Sequence, residues 1–172
     1  MADVLIRPAR THDAQAVCGI YAWHVAGGTA TFDTLAPEAQ AWAAKIEDFG
    51  AYGWPFLVAE RDAQVVGYAY AARFRDRAAY ARTCEDSIYI ANHACDGGIG
   101  TALMRALLLS ARAAGFEQMI AVIGGGEPAS VSLHAKCGFF HAGRLRNVGH
   151  KFGRVLDTVY MQCDLTGQET DR

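Results

Sequence analysis

The stretch CDGGIGTALM, Cys95–Met104, decides how the chain is read. Gly97, Gly98 and Gly100 stand directly before the apolar helical run TALMRALLLSARAAG, and EDSIYI (Glu85–Ile90) just upstream reads as a strand. A strand, a glycine turn and a helix N-terminus make an anion site. The first N–H groups of the helix lack partners, and the helix dipole adds about half a positive charge. Glycine lets the main chain come close and adopt positive φ. The pattern fits a phosphate or pyrophosphate, or simply a tight connection. It is not a Walker loop, because no Gly-Lys-Ser/Thr follows. It is not a dinucleotide fingerprint, because Gly98-Ile99-Gly100 lacks a third glycine and a leading βαβ unit.

The length of 172 residues predicts one domain, with residues 1–165 folded and 166–172 a flexible tail. A formal net charge of −2 offers no basic field for nucleic acid. The longest apolar stretches are broken by Arg105 and Arg112, too short to span a membrane. The opening MADVLIRPAR lacks a signal pattern. Cys18, Cys84, Cys95, Cys137 and Cys163 are scattered and odd in number, which fits reduced cytoplasmic thiols.

Periodicity gives the remaining elements. A strand is expected near Val4–Ala9, then a helix through Ala16, Val17 and Ile20. Pro37 is placed as the first residue of a second helix containing Trp42 and Ile46. PFLVAE and VVGYAYAARF read as a hairpin around RDAQ. The glycine loop feeds a helix from about Gly100 to Ala114, stopped by Gly115. QMIAVIG is a strand, and PASVSLHAKC is a short helix opened by Pro128 and closed by Gly138. FFHAGRLRN and VLDTVYMQC complete the order as two strands. Such an order packs as a mixed α/β sheet with helices on both faces.

Strand, G-x-G turn, long helix, strand and short helix ending in GF resemble the core of the GCN5-related N-acetyltransferases. TATFDT, FLVAE, VVGYAYAARFRDRAAY, EDSIYI, SVSLHAKCGF and VGHKFGRVLDTVYMQ are similar, in order, to segments of the phosphinothricin and methionine sulfoximine N-acetyltransferase group. The likeness runs from about Ile6 to Leu165. It implies a single-domain acetyltransferase fold with a mostly antiparallel sheet, acetyl-CoA as acetyl donor, a small amino-acid-like amine as acceptor, and a homodimer. It also implies that Asp96, Gly97, Gly98, Ile99, Gly100 and Thr101 wrap the pyrophosphate. It implies further that the backbone of Ile88, Tyr89 and Ile90 pairs with the pantetheine amides like an added strand. Glu127 and Lys136 lie at cofactor-contact positions. Three residues depart from the pattern: Cys95 replaces Gln or Arg, Gly97 often replaces a basic residue, and Glu127 replaces Asn.

Acetyl transfer to an amine needs a base, because alkylamines are mostly protonated near neutrality. Glu85 matches the group's carboxylate and is the expected base, with Asp86 on the opposite strand face. His134 is the second catalytic candidate, as donor to the leaving sulfur or as a partner of Glu85. For the acceptor, Arg73, Arg75 and Arg77 would share one side of an extended segment, with Arg82 nearby. Arg75 is favoured because it matches a group position. Ala78, Ala79 and Tyr80 match the group's substrate loop, and Phe32 is expected as an apolar wall. GHKFGR is expected to reach a neighbouring subunit. His93 and Cys95 with His134 and Cys137 show no recognisable zinc spacing, so no metal is expected. Cys95 is read as an unreactive thiol, with a mixed disulfide to coenzyme A as the alternative. Two other functions stay open: the same fold acting on a polyamine, aminoglycoside or peptide amine, and a non-catalytic acyl-CoA sensor.

Overall fold

Seven strands form one twisted sheet around which every helix packs. A computed structural model of the chain describes residues 4–95 and 97–167. Residues 168–172 of the expected tail, and Asp96 of the expected cofactor loop, lie outside the described residues. The strands are β1 (Leu5–Pro8), β2 (Phe56–Arg61), β3 (Gln64–Arg73), β4 (Thr83–Ile90), β5 (Gln118–Gly124), β6 (Phe140–Lys151) and β7 (Arg154–Asp164). The helices are α1 (Ala14–Gly27), α2 (Ala39–Tyr52), α3 (Ile99–Ala113) and α4 (Pro128–Lys136). The sheet order is β1-β2-β3-β4-β5-β7-β6, antiparallel except for β4 and β5.

Side-chain alternation sorts the helices between the two faces. Tyr68 lies opposite Tyr89 on one face, where Tyr21 of α1 meets the Tyr89 ring at 5.0 Å and Trp42 of α2 meets Tyr68 at 5.5 Å. Gly67 lies opposite Ile90 on the other face, under Leu103 of α3. The α3 core residues Ile99, Leu103, Met104, Leu107 and Ala111 follow helical spacing and are buried.

Three boundaries differ from expectation. Helix α2 is capped by Glu38, so Pro37 lies ahead of the cap and not at the first helical position. Strand β6 extends beyond Asn147 to Lys151 and turns at Phe152 (φ 52°) and Gly153 (φ 68°), a primed two-residue hairpin turn. A register shift between Leu145 and Gly149 allows this extension, with the Asn147 N–H held by the Asp157 carboxylate at 2.9 Å. Thr166, expected in the tail, is tied to Asp164 through its N–H and hydroxyl, and its carbonyl accepts from Arg112.

The site is set by how β4 leaves β5. They pair only from Thr83–Gln118 to Glu85–Ile120. Beyond that point β4 stays with β3 as far as Ile90, and β5 stays with β7 as far as Gly124. The sheet therefore splits into a V. Helix α3 reaches the mouth of the V because Gly67 leaves room beneath it. A Cβ there would lie 2.8 Å from Ile90 Cδ1 and 3.2 Å from Leu103 Cδ1. Gly67→Ala is expected to destabilise the fold by about 1–3 kcal/mol, read as a lowered midpoint in urea denaturation with an unchanged slope.

Candidate active site

A cavity of about 600 Å3 fills the V. Ala91 donates its N–H to the Val66 carbonyl at 2.9 Å, so odd-numbered β4 residues direct their main-chain groups at β3. Asp86, Ile88 and Ile90 direct theirs into the gap. The Ile90 carbonyl already accepts from His24 Nε2 at 2.9 Å. The Tyr89 carbonyl lies 3.2 Å from where a Gly67 Cβ would be. The expected three-residue pairing edge thus reduces to Ile88 and Ile90, joined by Asp86. Tyr89 lines the cavity too, but its main chain is turned to β3.

At the mouth, Gly97 (φ 115°) and Gly98 (φ 78°) turn the chain into α3. Gly98 is the N-cap and offers no side chain, and Ala102 is the first residue bonded back to it, at 3.0 Å. The N–H groups ahead of Ala102 therefore have no helical acceptor. Gly98, Gly100 and Thr101 line the cavity. Ile99 does not, because its side chain is core. Glu127, which stands where an asparagine was expected, turns its carboxylate onto its own helix and accepts from Ala129 N–H at 3.4 Å. Its charge meets the positive end of α4, which lessens its repulsion of a nearby anion. Lys136 lies on the cavity wall.

The two neighbouring carboxylates of β4 lie on opposite faces, as alternation requires. Glu85 is half-buried and lines the cavity on the α1/α2 face. Burial raises its pKa above the ordinary carboxylate value; Arg75 opposes the rise and Asp86 adds to it. Asp86 is buried on the α3/α4 face, and its Oδ2 lies 3.1 Å from His134 Nε2. The other His134 nitrogen, Nδ1, lies 2.7 Å from the Ser130 carbonyl. A carbonyl only accepts, so Nδ1 carries a proton. When the ring is protonated Nε2 donates as well, to Asp86 Oδ2. Burial pushes the His134 pKa down, but Asp86 and the Ser130 carbonyl outweigh it, so the net direction is up. The other Asp86 oxygen, Oδ1, is buried with no hydrogen-bond partner among the described residues. His134 is bonded to Asp86 and Ser130, not to Glu85.

The residues expected at the acceptor are only partly assembled. Phe32 lines the cavity beside Ala30 and Thr31. The arginine row does not form, because β3 ends at Arg73 and the chain bends through residues 74–77. Arg73 lies over Trp54, Arg75 over Phe74 with a hydrogen bond to its carbonyl, and Arg82 pairs with Glu117. Ala78, Ala79 and Tyr80 form an exposed 3-10 turn, with Tyr80 against Phe74, and do not line the cavity. Sequence reasoning gave no role to His24, Ser130 or the β5 edge at Ala121–Gly124, all of which do. The early end of the β4–β5 pairing carries no residue signal, so the β5 edge was not legible. Among the described residues no group of three or more His, Cys, Asp or Glu could hold a metal ion.

A family model for the acetyltransferase (GNAT) domain matches residues 6–160. The chain belongs to the GNAT acetyltransferase family. It is 46% identical over 169 residues to the phosphinothricin N-acetyltransferase of Alcaligenes faecalis, covering 96% of this chain and 84% of that one. It is 35% identical over 164 residues to the L-methionine sulfoximine/L-methionine sulfone acetyltransferase of Pseudomonas aeruginosa, covering 93% and 94%. The crystal structure of a phosphinothricin acetyltransferase from Sinorhizobium meliloti in complex with AcCoA superposes with a TM-score of 0.93 at 39% identity, covering 98% and 92%. This GNAT protein is an N-acetyltransferase, and its single-domain fold with a mixed seven-stranded sheet is that of its relatives.

The buried pair gives a pH-dependent prediction. Asp86→Asn removes the counter-charge of a buried imidazolium and is expected to cost about 3–5 kcal/mol. The raised His134 pKa stabilises the native state fully below its unfolded value of about 6.5, and that contribution is lost as pH rises through the folded value. Thermal melts should show the variant's deficit largest below that unfolded value and shrinking in more alkaline buffer.

Proposed function

We propose that this GNAT protein transfers acetyl from acetyl-CoA to the amino group of a small amino-acid-like acceptor, of the phosphinothricin, methionine sulfoximine or methionine sulfone type. The observation that carries this reading is the split of β4 from β5 immediately after Glu85. It sets a carboxylate of raised pKa at the vertex of a cavity whose mouth is an uncapped helix N-terminus. The names of the relatives in Alcaligenes faecalis and Pseudomonas aeruginosa support the acceptor class.

The residues present fit acetyl-CoA. The main-chain groups of Ile88, with the Asp86 carbonyl and the Ile90 N–H, suit an extended amide-bearing arm. The N–H groups at Gly98, Ile99, Gly100 and Thr101 suit a diphosphate, with Lys136 as an added cation and Glu127 held back on its own helix. Bound acetyl-CoA supplies the acyl group already activated as a thioester.

Glu85 takes the proton released by the attacking amine, directly or through water. Its raised pKa makes it a better base than an exposed carboxylate. Phe32 walls the acceptor end, and Arg75 supplies positive charge toward the same carboxylate. Both His134 nitrogens are engaged, so the ring has no proton aimed at the cavity. We assign His134 and Asp86 a joint positioning role on the α4 wall. A thiolate whose conjugate acid has a pKa of about 8.5 leaves without an acid. Ala78, Ala79 and Tyr80 reach the acceptor only if their turn closes over it. A homodimer and a cytoplasmic location belong to the same reading. Exposed Leu145, Val148, Phe152 and Val155 on the β6–β7 hairpin support self-association.

The test is thiol release from acetyl-CoA across a panel of amines. Turnover with methionine sulfone, methionine sulfoximine or phosphinothricin is expected. Turnover confined to cationic amines or peptides would move the acceptor class, and binding without turnover would make the protein an acyl-CoA sensor. Glu85→Gln is expected to lower kcat about 100-fold or more, with calorimetric affinity for acetyl-CoA nearly unchanged. Arg75→Ala should move the acidic limb of the kcat/KM profile to higher pH, because Arg75 holds the Glu85 pKa down. Asp86→Asn and His134→Asn, measured with their double variant, should be strongly non-additive in kcat. Additive losses would mean that His134 acts on its own.

A further inference from the structure

The segment KFGRVLDTVYMQ, Lys151–Gln162, carries much of the family likeness, yet of its residues only Thr158 lines the cavity. Lys151 shows what the segment does. Its side chain is buried, its residue only 5% exposed, and its Nζ donates to the Thr31 carbonyl at 2.9 Å. It forms no ion pair among the described residues, and Asp33 is the carboxylate that offsets burial of its charge. Burying an ammonium is costly, so a contact that persists under such a cost is informative about what it holds.

What it holds is the cavity wall at Ala30–Phe32. Three glycines from β5 and β6 and their connection form the trough in which this wall lies. A Cβ on Gly149 would stand 2.3 Å from Phe32 Cε2 and 2.6 Å from its Cζ. On Gly124 it would stand 2.8 Å from the Thr29 carbonyl oxygen, and on Gly125 2.9 Å from Thr29 Oγ1. From the other side, the Tyr21 hydroxyl accepts from Thr31 Oγ1 at 2.8 Å and donates to Asp33 Oδ2 at 2.6 Å. The loop between α1 and α2 is therefore seated from below by glycines and tied at both ends of Phe32. The extension of β6 past its register shift is what brings Gly149 and Lys151 beneath it.

We propose that Lys151 and Gly149 are positioning residues for the amine acceptor, fixing Ala30–Phe32 as a rigid wall that sets which acceptor side chains fit. This rests on the N-acetyltransferase reading above. Both residues act through the loop and neither touches the acyl donor's end of the cavity. Their loss should therefore fall on the acceptor and spare the donor.

The experiment measures kcat and KM separately for acceptor amine and acetyl-CoA in Lys151→Met, Lys151→Arg and Gly149→Ala, with hydrogen exchange of residues 28–34 followed by mass spectrometry. Lys151→Met is expected to raise acceptor KM about tenfold or more, the loss of one charge-assisted hydrogen bond, with acetyl-CoA KM nearly unchanged. Gly149→Ala should raise acceptor KM and alter the preference between small and bulky acceptors. Lys151→Arg should retain more acceptor affinity than Lys151→Met. Exchange at 28–34 should rise in Lys151→Met and Gly149→Ala alike. Equal increases in both KM values, or an unmoved acceptor KM with unmoved exchange, would overturn the proposal. Wild-type protein that acetylates no amine in the panel would instead defeat the functional reading. Exchange would then still decide the seating of the wall, rising if Lys151 and Gly149 hold it and overturning the proposal if it stays flat.

Discussion

Three residue pairs of parallel pairing, Thr83–Gln118 to Glu85–Ile120, join the two halves of the sheet, and the site begins where that pairing stops. Every main-chain group that β4 and β5 would have exchanged beyond it is left facing a gap. Buried unpaired amides are costly, so a gap of this kind persists only where something else satisfies them. The Ile90 carbonyl is satisfied by His24. The remaining edge is made of the Ile88 main chain, the Asp86 carbonyl and the Ile90 N–H, the pattern an extended amide chain would complement. The same divergence leaves room for the N-terminus of α3 at the mouth and exposes Glu85 at the vertex. Open backbone edge, uncapped helix N-terminus and cavity-facing carboxylate thus follow from one interruption of the sheet.

The two faces of β4 divide the work chemically. Toward α1 and α2 the strand carries Glu85, Ser87 and Tyr89, over a packed aromatic layer that includes Tyr68, Tyr70 and Trp42. That environment desolvates Glu85 and lifts its pKa, while Arg75 limits the lift. Toward α3 and α4 it carries Asp86, which is far more buried, and there the charge is neutralised by His134. Glu85 is left facing the cavity. Asp86 is bound into a pair with His134 of the helix that lines the cavity.

The fold was legible because its signals are local. The glycine turn, the 3.6-residue spacing of α3 and the RDAQ hairpin each speak for a few residues at a time. Alternation along EDSIYI correctly put Glu85 and Asp86 on opposite faces. The pairing of Asp86 with His134 was not legible, because it depends on the distance between two elements 48 residues apart. The arginine row failed for a related reason. Two-residue spacing aligns side chains only while the strand lasts, and β3 ends at the first arginine of the series. Tyr89 was read as an edge residue because sequence does not say to which neighbour a strand residue turns its amide. Gly149 and Lys151 were noticed as a motif, but their function lies in a contact with a loop 120 residues earlier.

The departures at Cys95, Gly97 and Glu127 looked at first like losses of positive charge around an anion site. The structure gives them a different meaning. What the site presents is chiefly main chain: glycines at positive φ, Gly97 among them, and uncapped amides that do not depend on the side chains at Cys95 and Glu127. Glu127 could have opposed an anion, but its carboxylate is drawn onto the first turn of α4, where the helix's own dipole answers it. An anion site built from backbone donors tolerates such substitutions because its geometry is set by φ and by helix direction, not by side-chain identity. The acceptor end is the reverse case. There the wall is made of the side chains and carbonyls of a loop, and it holds its shape only because Tyr21, three glycines and one buried lysine agree on where that loop lies. Variation in the family's acceptor preference is therefore expected to concentrate at that end, and the donor end should tolerate change without changing what it binds.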